Sequence, residues 1–85
     1  MRIFHTSTFS SEFKLLPGSV KKLYNKQEYI FLHNWKDSRL HTKKLKKSDT
    51  SFSFRITRRY RVLFIFADGE TAFFTAIGHR KNIYD

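Results

Sequence analysis

"SFSFRITRRYRVLFIFADGETAFFTAIG", Ser51 to Gly78, is the stretch that decides the fold. In its first part Phe52, Phe54 and Ile56 alternate with Ser51, Ser53, Arg55 and Thr57. A period of two with one apolar side predicts a strand with one buried and one polar face. A turn over Thr57 to Arg59 follows. Tyr60 to Phe66 is then apolar on both faces apart from Arg61, which suits a central strand. Asp68-Gly69 predicts a hairpin, since glycine accepts the positive φ that such turns require. Thr71 to Gly78 is the returning strand. Three strands in succession, joined by short turns, make an antiparallel meander.

Upstream of the meander, residues 36–50, "KDSRLHTKKLKKSDT", have no useful periodicity and read as a basic loop. Before them, apolar residues at 9, 13, 16, 20, 23, 24, 30, 31 and 35 keep close to the three-and-four spacing of amphipathic helix. Pro17-Gly18 interrupts that run. Proline has no amide hydrogen and turns the preceding residue away from helical geometry, so one helix ends there and a second begins near Ser19. Thr and Ser residues between 6 and 11 are candidate N-caps. Trp35 is expected as a core or edge anchor, and Met1 to about Thr6 as a short first strand. The expectation is an α+β domain: an N-terminal strand, a helical hairpin and the meander, completing a four-stranded sheet with the helices on one face.

Eighty-five residues leave room for one core, hence a single domain over residues 1–85. Aromatic content of 18% argues against disorder, because disordered chains lack large groups to bury. Cysteine is absent, which excludes disulfide frameworks, thiolate nucleophiles and zinc sites built on cysteine pairs, and fits a reducing cytoplasm. The longest unbroken apolar run, Val62 to Ala67, is too short to cross a bilayer, and no signal-peptide pattern opens the chain. The expected protein is soluble and cytoplasmic, with no membrane partner.

Charge narrows the partner. Seventeen Lys and Arg against seven Asp and Glu leave +10. Lys36 to Arg61 holds ten basic and two acidic residues, so that segment alone carries +8. Such density points to a polyanion: nucleic acid, an anionic membrane or an acidic protein. His5, His33 and His41 have no metal-ligand spacing with one another or with acidic residues, so no metal and no cofactor is expected.

The chain ends in "IGHRKNIYD", Ile77 to Asp85, which sets a histidine, an arginine, a lysine and a tyrosine at the mouth of the last apolar strand. Taken with "HTKKLKK", with "FSFRITRRYRVLFIF" and with the Asp-Gly hairpin, this ending resembles the RelE/ParE superfamily of toxins from bacterial toxin–antitoxin pairs. The resemblance covers nearly the whole chain. It is most specific in the Tyr-Arg-Val that starts the third strand and in the Gly-His-Arg…Ile-Tyr ending, which favours the RelE branch. It implies a compact ribonuclease-like fold, cleavage of messenger RNA engaged by a ribosome, and inhibition by a co-expressed antitoxin. The toxin itself would be a monomer within a hetero-oligomeric complex. Two rival readings stay open: an RNA- or ribosome-binding protein of the same fold that cuts nothing, and a ParE-like inhibitor of DNA gyrase.

Residue by residue, Arg61 matches the family's arginine after the strand tyrosine, Arg80 falls where RelE-like members carry an arginine or histidine, and Tyr84 falls at their late aromatic position. Where some members carry two lysines on the second strand, this chain has Phe52 and Phe54, which look like core residues, and Arg55 is the candidate replacement. No carboxylate matches the glutamate that acts as base in some relatives.

The chemistry implied is attack by a 2′-hydroxyl on the adjacent phosphorus without metal. It needs a proton acceptor, a proton donor for the departing 5′-oxygen and cations on the phosphoryl oxygens. Arginine suits the last task, with its permanent charge and forked donors. Alternation places Arg61 opposite to Tyr60, Val62, Phe64 and Phe66, which points it into an open cleft if that face is the one the helices leave uncovered, and the antiparallel return brings Arg80 towards it. A two-arginine clamp is the hypothesis. His79 could give or take a proton near neutrality, although adjacent strand residues point opposite ways, so His79 and Arg80 share the cleft only where the strand has ended. Tyr84 could stack on a base or donate a proton. Lys43, Lys44, Lys46 and Lys47 are expected to grip RNA backbone without sequence preference, with Arg55, Arg58, Arg59 and Lys81 extending the same surface.

Overall fold

The computed structural model describes residues 1–83. In chain order the elements are β1 (Arg2–His5), α1 (Ser7–Lys14), α2 (Gly18–His33), one 3-10 turn (Ser38–Leu40), β2 (Lys43–Lys44), β3 (Ser51–Arg55), β4 (Tyr60–Asp68) and β5 (Thr71–His79). The sheet runs β1-β5-β4-β3-β2. β1 lies parallel to β5, and the other pairs are antiparallel. The meander, the helical hairpin and the α+β class stand as expected from the sequence.

The sheet has five strands, not four. The added one, Lys43–Lys44, sits within the segment expected as loop and pairs with Ser53 and Phe52 at the edge of the sheet. Two residues are too few to carry a periodicity, so pairing alone makes them a strand. The 3-10 turn beside it forms because the Asp37 carboxylate accepts from the Arg39 amide at 2.9 Å, while Leu40 is fully buried.

Both helices start where the chain chemistry says they should. Thr6 caps α1, its hydroxyl oxygen accepting from Phe9 N at 3.2 Å while its hydrogen goes to the Thr75 carbonyl at 3.1 Å. That second bond fastens the helix start to β5. Pro17 precedes α2 with φ −56° and ψ 147°, and its carbonyl accepts the first intrahelical bonds from Val20 and Lys21. α2 buries Val20, Tyr24, Gln27, Ile30 and Phe31, one stripe of the helix, against the sheet.

The core is aromatic. The Phe31 ring lies 5.4 Å from Phe54, 5.0 Å from Phe64 and 5.0 Å from Phe74, one partner from each strand of the meander. These distances suit tilted and edge-to-face packing, and all four rings are fully buried. Trp35 is half-buried over Phe52 and Phe66, an edge anchor.

Two irregularities interrupt the β4–β5 ladder. At the hairpin, Phe66 pairs with Ala72 and Asp68 with Thr71, which leaves Ala67 as an extra residue. No glycine among the described residues has positive φ, contrary to the reading of Asp68-Gly69. The turn is held instead by the Asp68 carboxylate accepting from Glu70 N at 2.8 Å, a bond that keeps the Asp68 carboxyl below the usual range. The second irregularity lies between Leu63 and Phe64, whose partners are Ala76 and Phe74. Thr75 is therefore the bulged residue, and its hydroxyl donates to the Leu63 carbonyl at 3.3 Å.

Candidate nucleic-acid interface

The Thr75 bulge changes which side chains share a face. Counted by simple alternation from buried Phe74, Ala76, Gly78 and Arg80 would point to the helices and His79 away from them. With one residue taken up by the bulge, Ile77 is the buried one, at 1% exposure, and the parity is reversed. Gly78 lies directly opposite Arg61, and His79 opposite Tyr60.

On the face of the sheet away from the helices, a cavity of about 390 Å³ is lined by His41, Lys43, Ser53, Arg55, Arg61, Arg80 and Lys81. β2, β3 and β4 contribute, together with the 3-10 turn's end and the turn after β5. Arg55 and Arg61 are cross-strand partners on β3 and β4, and Lys43 pairs with Ser53 from the edge strand. Arg80 comes from the turn after β5, whose amide donates to the Arg59 carbonyl at 2.7 Å. That single backbone bond ties the C-terminal turn to the β3–β4 turn and so holds Arg80 near the start of β4.

The two arginines are not alike. Arg80 is exposed, whereas Arg61 is 9% exposed. Arg61 Nη1 donates to the Thr57 carbonyl at 2.9 Å, to Arg58 at 2.7 Å and to Tyr60 at 3.3 Å. It faces the cavity as its position in the strand requires, but its guanidinium also braces the β3–β4 turn instead of standing in an open cleft.

Among the described residues no carboxylate lines the cavity, and the ion pairs of the basic segment lie elsewhere: Arg39 with Asp37 at 2.9 Å and Lys44 with Asp49 at 3.8 Å. Among the described residues Lys43, Arg55, Arg80 and Lys81 have no ion-pair partner, so the described lining of the cavity is cationic. This end of the sheet is suited to a polyanion.

Lys46 and Lys47 are exposed and line an adjoining hollow with Lys43, Lys44 and Leu45, so of the lysine cluster only Lys43 lines both hollow and cavity. Arg58 and Arg59 are exposed on the turn that Arg61 braces. His79 lies apart from the cavity. Its ring packs edge-on to Tyr60 at 5.4 Å, its Nδ1 accepts from Lys81 N at 3.1 Å, and it lines a separate hollow with Glu12, Leu16 and Ile77 on the helix side. The structure thus brings Arg61, Arg80, Arg55, Lys43 and Lys81 together and leaves His79 out. Tyr84 lies outside the described residues.

Two residues without a role in the sequence reading belong to this region. His41 lines the cavity. Gln27, 8% exposed on α2, sends its amide nitrogen to the Arg39 carbonyl at 3.1 Å and to the Arg55 carbonyl at 2.8 Å. One buried amide thereby sets the 3-10 turn before His41 and the end of β3 at fixed separation. A glutamine within an apolar helical stripe is the signal that could have exposed it, since a buried amide must find partners. His41 carried a weaker signal: it is the imidazole closest to the lysine cluster.

No family profile and no curated protein sequence matches the chain. Solved structures do. The RelB–RelE antitoxin–toxin complex from Methanococcus jannaschii contains a chain 26% identical, aligned over 96% of this chain and 95% of that one, with TM-score 0.78. YafQ from E. coli strain BL21(DE3) aligns over the whole of both chains at 13% identity and TM-score 0.81. The YoeB dimer from Staphylococcus aureus aligns over 94% of this chain and 97% of that one, at 15% identity and TM-score 0.77. The chain has the fold of the RelE-like toxin superfamily.

Proposed function

We propose that this chain, a RelE-like toxin in its fold, is the toxin of a type II toxin–antitoxin pair: an endoribonuclease that cleaves messenger RNA on the translating ribosome and so stops translation. The observation that carries the reading is the shared cavity of Arg61 and Arg80, lined as well by Lys43, Arg55 and Lys81. A cognate antitoxin is the implied partner; the Methanococcus jannaschii neighbour is itself a toxin–antitoxin complex.

The mechanism assigned is transesterification without metal. The 2′-oxygen attacks phosphorus, the bond from phosphorus to the 5′-oxygen breaks, and the products are a 2′,3′-cyclic phosphate and a 5′-hydroxyl. Arg80 and Arg61 hold the phosphoryl oxygens as negative charge gathers on them. Lys43, Arg55 and Lys81 take the flanking phosphates, and Lys44, Lys46 and Lys47 extend the track over the edge strand. Among the described residues no cluster of His, Asp or Glu could hold a metal ion, and a guanidinium pair provides the positive charge that a metal would otherwise provide.

A second reading draws on one observation: three carbonyls already engage Arg61 Nη1. If that bracing is the whole task of Arg61, the protein binds message or ribosome and does not cut. Purified protein is incubated with message and ribosomes in the presence of a chelator, and the RNA ends are mapped. New 2′,3′-cyclic phosphate ends within the message support the nuclease. Stalled translation on intact message supports the binder, and breaks that need added divalent metal overturn the mechanism.

A further inference from the structure

We propose that His41 is the proton acceptor of the cleavage reaction, an inference that rests on the ribonuclease reading above. Seven of the described residues line the cavity that holds Arg61 and Arg80, and among these His41 is the one whose side chain type exchanges protons near neutral pH without a large perturbation. The others are lysines, arginines and a serine. His79 faces the opposite side of the sheet, so the imidazole of this site is the one from the 3-10 turn.

The backbone at His41 singles it out independently. It has φ 48° and ψ 46°, the left-handed region, and it alone among the described non-glycine residues has positive φ. Such a conformation is uncommon for a residue with a Cβ, histidine adopting it more readily than most, and it is kept where the surroundings support it. Here they do. The His41 amide donates to the Ser38 carbonyl, Leu40 before it is fully buried, and the Thr42 hydroxyl after it donates to the Trp35 carbonyl at 2.7 Å. Chain on both sides is fixed, so the turn presents an exposed imidazole at the cavity wall. Among the described residues no hydrogen bond occupies its ring, which leaves a nitrogen for substrate.

Among the described residues, the charged groups facing His41 are Lys43 on β2, Arg55 on β3, Arg61 on β4, and Arg80 and Lys81 in the C-terminal turn. On its other side a second hollow holds Lys36, Asp37 and Lys44. In the reaction a ring nitrogen of neutral His41 takes the 2′-hydroxyl proton as the oxygen–phosphorus bond forms. The 5′-oxygen leaves with the electron pair of the broken bond and takes a proton from water, and the imidazolium then returns its proton to solvent.

The test compares the wild type with His41→Gly and His41→Asn, both of which tolerate the left-handed backbone. Cleavage is followed across about pH 5 to 8, and affinity is measured on an RNA carrying a 2′-deoxy sugar at the cut site. The expected result is that both variants melt like the wild type, bind the uncleavable RNA within a factor of about two, and cleave about 10²-fold or more slowly. The rise of rate with pH disappears in both, and added imidazole restores cleavage to His41→Gly but not to His41→Asn. A variant that cleaves at the wild-type rate, or loses rate only in step with affinity, overturns the assignment while leaving the nuclease standing. A wild type that cuts no RNA overturns the nuclease reading and this assignment with it.

Discussion

Arg61 on β4 and Gly78 on β5 are direct cross-strand partners, and the residue two beyond Gly78 is Arg80, which lines the same cavity as Arg61. Chain reversal at the hairpin brings the two guanidinium-bearing segments together. The backbone bond from Arg80 N to the Arg59 carbonyl fixes the last step. From this relationship follow unequal consequences for the two arginines.

Arg80→Ala removes an exposed side chain and leaves that backbone bond in place. Stability should change by less than about 0.5 kcal/mol, while message cleavage falls about 10²-fold. Arg61→Ala should also lower cleavage, but it strips a donor from the carbonyls of Thr57 and Arg58 and costs about 1–3 kcal/mol of stability. Urea unfolding beside cleavage rates separates the two. Equal stability of both variants would mean that Arg61 does not brace the turn.

Gln27→Leu leaves the Arg39 and Arg55 carbonyls without their shared donor. The expected cost is about 1–3 kcal/mol, together with a loss of cleavage rate greater than the loss of RNA affinity, because the walls of the cavity shift relative to each other. Gln27→Glu offers oxygens to the same carbonyls and should not rescue. Wild-type turnover in Gln27→Leu would show that the amide bridge does not position the site.

Deletion of Thr75 removes the bulged residue but not the pairing of Leu63 with Ala76 or of Phe64 with Phe74. A regular strand should result, with Arg80 still on the cavity side, cleavage retained and stability lower by about 1–2 kcal/mol for the lost hydrogen bonds. Loss of cleavage in a folded deletion variant, with His79 now cross-linked to RNA in place of Arg80, would refute this account of the faces.

Tyr24 is held well above the usual phenol range, by burial first and by the Glu28 carboxylate to which it donates second. A raised folded value means that its contribution is complete below the unfolded value near 10 and is lost as pH rises further. Wild-type stability should therefore fall more steeply between about pH 9 and 11 than that of Tyr24→Phe, which has nothing to titrate there. Parallel curves from the two proteins would refute this.

Asp37 has the opposite sign. Its side-chain bond to Arg39 and the Arg39 amide lower its pKa from 3.8 to about 2. A lowered folded value gives a contribution that is complete above 3.8 and disappears as pH falls towards 2. The 3-10 turn that ends at His41 should loosen in that window, seen as an amide shift at Arg39 and as a change in the emission of Trp35, the chain's single tryptophan. Asp37→Asn should lose both signals.

Much of this protein is readable in one dimension. Alternation in Phe52, Phe54 and Ile56, and again in Val62 and Phe64, names the buried face of the meander, because a strand's side chains alternate wherever it pairs. Pro17 divides the helices for a reason internal to its own ring, and the density of lysine and arginine names a polyanionic partner whatever the fold. Those are local rules, and local sequence satisfies them. Other features depend on partners far along the chain. β1 lies parallel to β5, and Lys43–Lys44 becomes a strand only against β3. Thr75 bulges because of where β4 stands, and that bulge, not the spacing, puts Arg80 rather than His79 beside Arg61. The conformation of His41 is imposed by the burial of Leu40 and the anchoring of Thr42. A backbone amide has no sequence preference for one distant carbonyl over another, so these pairings exist only once the tertiary structure has brought the candidates within reach.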